Sequence, residues 1–329
     1  MTMPNDRPRD PSGQASPTAA ESAPLDITRL PSPLPLFLRA LLSFRKPAHA
    51  QPLPPLAFAR RNVTLDAGEI ARYARLCGFT AAHGVPPTWP HLLAFPLHML
   101  LMTDRAFPFA MLGMVHLDNR ILQHAALAPG DRLDIDVRCG PLFAHDKGQV
   151  FTVLTTARRG GVVIWTGESG YLRTGVPDPL GAPYRAALSA APSLAKTFAW
   201  QVPADLGRQY ARVSGDYNPI HLWPITARWF GFPRPIIHGM WSFARSLAAV
   251  LPTGVPTLDL RVEFKRPLPL PGDVTLWCDP RGGAFELRDA AGAVPHLRGR
   301  WQRAPTDSTT STASTTSTTS PASLDPDRS

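Results

Sequence analysis

Apolar residues recur with two periods along this chain, and the order of the periods repeats. Ile70, Tyr73, Ala74 and Cys77 fall three and four apart, the spacing of one helical face. Asp66, with Glu69 three residues on, marks the start of that helix in the manner of a capping box, and a short strand from about residue 58 precedes it. Residues 91–102 (HLLAFPLHMLLM) are apolar on nearly every face, so the helix they predict must be buried on most sides. After Pro129-Gly130-Asp131 the period changes to two, predicting strands at about 132–138, 149–157 and 162–173, with a turn at Arg159-Gly160-Gly161.

The second half copies the first. Tyr73-Ala74-Arg75-Leu76-Cys77-Gly78-Phe79 returns as Tyr210-Ala211-Arg212-Val213-Ser214-Gly215-Asp216, and Pro129-Gly130-Asp131 returns as Pro271-Gly272-Asp273. A helix is predicted after His238, then strands at 274–278, 284–289 and 294–302, with turns at 280–283 and 290–292. The repeated unit is a helix, a long apolar helix and an antiparallel meander. A curved sheet wrapped around each apolar helix would bury it, so the fold class is α+β.

The chain divides into six parts: a disordered tail (1–30), an amphipathic segment (31–50), a first unit (51–175), a Pro/Ala-rich linker (176–196), a second unit (197–304) and a Ser/Thr-rich tail (305–329). The amphipathic segment predicts a helix from Pro35, apolar with a basic end at Arg45-Lys46. It can dock on the protein's own surface or make peripheral membrane contact. Its lack of a lysine-rich polar face favours docking.

A net charge of +9, mostly arginine, suits an anionic partner. The arginines are spread out, with no basic run interleaved with aromatics, so no nucleic-acid partner is expected. A phosphorylated small molecule and an anionic surface are left, beside an arginine-rich composition without any partner. Cys77, Cys139 and Cys278 are odd in number and make neither a metal spacing nor a disulfide framework, which predicts a reducing, cytoplasmic compartment. No apolar run reaches the ~20 residues of a membrane span, and the N-terminus lacks a signal-peptide pattern.

The chemistry concentrates in residues 210–250. Asp216 and His221, an acid and a base, stand five residues apart around the Asn218-Pro219 turn. His238-Gly239-Met240 then opens a helix whose first N–H groups are free to meet a ligand. Ser214, Gly215, Asn218, Pro219 and His238 are expected to support the loop. The first copy carries Phe79 in place of Asp216 and Gly84 in place of His221, with His83 one position off. One active site per chain follows, on the second unit. Arg261, Lys265 and Arg266 flank a strand and are candidates for phosphate binding.

The block Tyr210-Ala211, Ser214-Gly215-Asp216, Asn218-Pro219, His221, followed by Gly231-Phe232, Pro235-Ile236 and His238-Gly239-Met240, resembles the R-specific enoyl-CoA hydratases (hydratase 2) of the MaoC-like family. The resemblance implies a hotdog fold, here two in tandem as a pseudo-dimer. It implies hydration of trans-2-enoyl thioesters to (R)-3-hydroxyacyl thioesters by Asp216 and His221, with the Gly239 N–H as oxyanion donor and the first unit lining the acyl pocket. The substrate carrier would be coenzyme A or an acyl carrier protein. No metal or redox cofactor is called for. A dehydratase of fatty acid synthesis, a hotdog thioesterase and a non-catalytic acyl-thioester binder are the alternatives. Such a chain could be a monomer or a homodimer.

Overall fold

The computed structural model describes residues 23–304 apart from 44–45, 47–48, 112, 192 and 280–282. Residues 1–22 of the expected N-terminal tail, all of the expected C-terminal tail and most of the turn at 280–283 lie outside the described residues. In the first half the elements run β1 (Leu25–Asp26), α1 (Pro33–Leu42), β2 (Ala57–Thr64), α2 (Ala67–Cys77), α3 (Trp89–Thr103), β3 (Met114–Gln123), β4 (Arg132–His145), β5 (Gly148–Arg159) and β6 (Val162–Thr174). A short β7 (Ala182–Pro183) precedes the second half. There follow β8 (Ala195–Val202), α4 (Leu206–Ser214), α5 (Pro224–Trp229), α6 (Gly239–Val250), β9 (Leu258–Phe264), β10 (Gly272–Cys278), β11 (Ala284–Asp289) and β12 (Pro295–Gln302).

The sheet order is β1-β2-β4-β5-β6-β3-β9-β12-β11-β10-β8. Omitting β1, the order in one half, 2-4-5-6-3, mirrors that in the other, 8-10-11-12-9. The architecture is a double hotdog, joined where β3 and β9 pair antiparallel from Asp118↔Glu263 to Gln123↔Leu258. The apolar helix α3 packs on β2, β4 and β5, and α6 packs on β11 and β12. Ten of the fifteen residues of α3 are buried, as its all-round apolar sequence requires. The core of the two halves is continuous.

The repeated motif has a physical reason at each end. Gly78 and Gly215 close α2 and α4 in the left-handed conformation, with φ of 82° and 74°, where glycine carries no Cβ penalty. The repeated tyrosines meet near the junction, Tyr73 and Tyr210, with ring centroids 6.3 Å apart. At the start of α2, Asp66 accepts from the Glu69 N–H at 2.8 Å, as its spacing predicts.

Three expectations change. Residues 25–27 were expected in a disordered tail, but β1 pairs with β2, Ile27 N–H donates to Ala59 O at 2.7 Å and Arg61 reaches Asp26 at 2.9 Å. The tail's Pro/Ser-rich composition hides the apolar Ile27 and Leu30 at its end, which pack against the core. Second, β8 begins at Ala195, inside the expected linker. The linker itself is strapped across the junction: Tyr184 Oη donates to Asp118 at 2.6 Å, and Leu188 N–H donates to Glu263 at 2.7 Å. Third, β3 had no counterpart among the predicted strands. The N-terminal segment is docked, with Leu36 and Ala40 of α1 buried and α1 packed on α3. The Lys46 ammonium donates to Asp104 O at the C-cap of α3 and to Phe107 O in the loop beyond it, at 2.7 and 2.6 Å. No helix among the described residues is long and apolar enough to cross a membrane.

Candidate active site

Short-range turn chemistry assembles the site. After the Gly215 cap, Asp216 N–H donates to Ser214 Oγ at 3.2 Å. Asp216 Oδ1 accepts from Asn218 N–H at 3.1 Å, and Asn218 Oδ1 accepts from Ile220 N–H at 3.4 Å. These two side-chain turns, with Pro219 at the first position, wind Pro219–His221 into one 3-10 turn. The loop lies on α4 at Gly207, where a Cβ would collide with the His221 carbonyl.

His221 is 8% exposed, and its Nδ1 donates to Ile236 O at 2.7 Å. A carbonyl can only accept, so the proton sits on Nδ1 and Nε2 keeps its lone pair. His238, the N-cap of α6, donates from Nε2 to the Asp216 carbonyl at 2.9 Å. Its ring stacks on His221 with centroids 3.7 Å apart. The polar atoms of Asp216, His221 and His238 lie within 4.8 Å of one another. Such spacing could suit a cation, but His238 Nε2, 3.8 Å from Asp216 Oδ2, spends its proton on a carbonyl and has no lone pair to give, while the bare Nδ1 is buried with no hydrogen-bond partner. The donor set therefore reads as an acid–base cluster.

Burial dominates the electrostatics. It pushes the Asp216 carboxyl above its ordinary range, partly offset by His221 and by the Asn218 N–H. It holds His221 below the ordinary imidazole range against the upward pull of Asp216. It drives His238 well below that range, helped by repulsion from His221. Burial thus moves the carboxyl up and the imidazole down, bringing their proton affinities closer together, which suits proton transfer within the pair.

The cluster opens on a cavity of about 400 Å³. Ser214, Asp216, Asn218, His221, His238 and Gly239 line it from the second half, and His91, Leu92, Phe95, Met102, His116 and Tyr171 from the first. Gly239 opens α6, and a Cβ there would lie 2.8 Å from the Phe264 ring. The first unit lines the cavity, as expected. The three basic candidates part company. Lys265 and Arg266 line the cavity, with Lys265 held to Glu263 at 2.6 Å. Arg261 does not line it and lies 3.7 Å from Asp259. His83 is also elsewhere: its Nδ1 pairs with Thr80 Oγ1 at 2.8 Å and its Nε2 with Leu251 O at 3.3 Å.

Sequence reasoning alone missed His91, His116, Tyr171 and Phe264 as cavity residues. His91 heads the apolar helix and His116 lies in the unforeseen β3. The one signal that could have found them was the presence of two imidazoles, His91 and His98, in an otherwise apolar helix.

A tandem hotdog carrying an Asp–His pair beside a helix N-terminus is the arrangement that the hydratase 2 resemblance implies. Comparison with known proteins makes the class specific. The model of the MaoC like domain matches residues 188–274. The 3-hydroxyacyl-thioester dehydratase X of Mycobacterium tuberculosis is 33% identical over 251 residues, covering 74% of this chain and 88% of that protein. The enoyl-CoA hydratase ChsH3 of the same organism is 30% identical over 182 residues, covering 51% of this chain and 60% of that one. The solved structure of HtdX from Mycobacterium tuberculosis matches with a TM-score of 0.64 at 30% identity, covering 75% of this chain and 100% of that one. A MaoC-like dehydratase from Phytophthora capsici shares the fold, with a TM-score of 0.62 at 18% identity over 75% of this chain and 94% of that one. The chain belongs to the MaoC-like dehydratase family.

Proposed function

We propose that this protein is an R-specific enoyl-thioester hydratase and 3-hydroxyacyl-thioester dehydratase, acting on coenzyme A or acyl-carrier thioesters in fatty acid metabolism. The observation that carries the reading is the unprotonated His221 Nε2, held beside the Asp216 carboxyl at the wall of a largely apolar cavity. In hydration, water adds its oxygen to C3 and a proton is delivered to C2. His221 Nε2 accepts the water proton as the C–O bond forms, and the Asp216–His221 pair returns a proton to C2. Negative charge gathers on the thioester oxygen meanwhile, and the N–H groups at the start of α6, Gly239 first, lie where they can stabilise it. Dehydration is the same path reversed. The R configuration rests on the family resemblance.

Lys265 and Arg266 are the groups we assign to the phosphates of the carrier, because both are cationic and at the cavity. The three cysteines are free, in keeping with a cytoplasmic location. The first unit lacks the acid–base pair and serves as the wall of the acyl site.

The test follows the enoyl-thioester absorbance of crotonyl-CoA and of a longer trans-2-enoyl-CoA. Wild type is run beside Asp216→Ala and His221→Ala, with folding checked by circular dichroism. Each variant is expected to lose on the order of 10²-fold or more in kcat. A wild type silent on every chain length, and on acyl-carrier substrates, sinks the proposal.

A further inference from the structure

The cavity has a polar wall that the hydration chemistry does not use. It begins beside the acid–base pair, where Tyr171 feels the charge of Asp216. The His116 ring lies against Tyr171, with centroids 4.6 Å apart and planes 21° apart, and against Phe264 at 4.9 Å. His91 stacks with His116 at 6.1 Å, and His98 meets His91 edge-on at 5.3 Å. This ladder of rings leads from Asp216 into the core of the first unit, on α3, β3 and β6.

Its members differ in how they are satisfied. His98 has partners on both nitrogens, Thr155 Oγ1 at 2.8 Å and Tyr171 Oη at 3.4 Å. His116 Nε2 is buried with no hydrogen-bond partner. His91 is 5% exposed and, among the described residues, makes ring contacts only. Both line the cavity. The β3–β6 ladder shifts register between His116 and Asp118, and such bulges re-aim side chains beside active sites. Buried polar atoms in native proteins are almost always paired. His91 lines the cavity with no protein hydrogen-bond partner among the described residues, so an aliphatic chain there would leave its nitrogens unpaired, whereas water or an oxygen function would satisfy them.

Building on the hydratase reading, we propose that His91 and His116 form a polar subsite selecting 2-enoyl thioesters whose acyl chain carries a hydroxyl or keto oxygen beyond the reacting double bond. Burial brings the His91 imidazole down to about 4 and that of His116 to about 3, so both are neutral at working pH. His116 gives its ring N–H to the Asp118 backbone, which leaves Nε2 as an acceptor suited to a hydroxyl, whereas His91, with neither nitrogen bonded to protein among the described residues, offers a donor and an acceptor and fits a hydroxyl or a ketone. A carboxylate would need a cation, and this wall has none.

The experiment compares kcat/KM for chain-matched pairs of trans-2-enoyl-CoA, one plain and one carrying a hydroxyl or a ketone at successive positions along the chain. Wild type is expected to prefer an oxygenated member by about tenfold or more, because sites built to hydrogen-bond a group reject the analogue lacking it. His116→Phe and His91→Leu should collapse that ratio toward one, and His116→Gln, which keeps a donor and an acceptor, should retain part of it. A wild type that treats both members alike overturns the subsite, as do variants that lower both members equally. If His116→Phe fails to melt cooperatively, the ratios of His91→Leu and His116→Gln decide between the same two outcomes. Failure of wild type on crotonyl-CoA as well would count against the hydratase reading instead.

Discussion

His221 can take a proton from water only while its Nε2 is bare, and two opposing influences set when that is so. Burial lowers its pKa, and the Asp216 carboxylate pulls it up. The acid limb of kcat/KM, which reports the free enzyme, should therefore lie below the ordinary imidazole value of about 6.5. In Asp216→Asn the upward pull is gone while burial stays, so the His221 pKa should fall further. The check is the pH profile of wild type together with an NMR titration of the His221 ring in Asp216→Asn. A wild-type limb at or above the ordinary value, or a rise in the variant, contradicts the arrangement. Asp216, His221, His238 and Gly239 were legible because one local stretch encodes them, each within a turn or a helix start of the next. His91, His116 and Tyr171 were not, because they come from α3, β3 and β6, and only folding brings their rings together.

At the scale of elements, α6 and β9 meet so closely that the helix start has no room for a side chain. A Cβ on residue 239 would lie 2.8 Å from Phe264 Cε1 and 2.9 Å from Cδ1. The sequence read Gly239 as an exposed N–H donor, and the structure adds crowding at the same position. The two are compatible, since the contact that forbids a side chain also fixes where the first N–H groups point. Gly239→Ala should cost about 1–3 kcal/mol of stability by overpacking. It should also lower kcat by roughly 10²-fold if those N–H groups hold the developing oxyanion. Adding Phe264→Leu should recover most of both. A destabilised variant with unchanged kcat would leave Gly239 with a packing role alone. The neighbouring β3 escaped the sequence reading for a reason of the same scale. Its bulge at His116–Asp118 breaks the period of two, so its alternation is out of phase along its length.

For the molecule as a whole, the twofold repeat was legible in the copied motifs, whereas the junction was not, since no local pattern states that β3 and β9 pair. Joining the halves there leaves a shared interior that buries His91, His98, His221 and His238 and half-buries His116, all held below the ordinary imidazole range by desolvation. The sign of the stability effect follows. Below pH about 6.5 the unfolded chain takes up protons that the folded chain refuses, so stability falls as pH falls, down toward the folded values. Each such histidine contributes up to about 1.4 kcal/mol per pH unit in that window. Asp118 and Asp216, raised by burial, act in the opposite direction as pH falls through their raised values. Against a typical total of about 5–15 kcal/mol, the five together are expected to weaken the fold as pH falls into mild acid. Urea denaturation at about pH 7.5, 6 and 5 should show a steep loss, and the double variant His91→Leu/His116→Phe should flatten the slope by close to two protons. An identical slope in the double variant would mean that these two imidazoles are protonated in the folded protein, and the neutral wall assigned to the cavity would have to be abandoned.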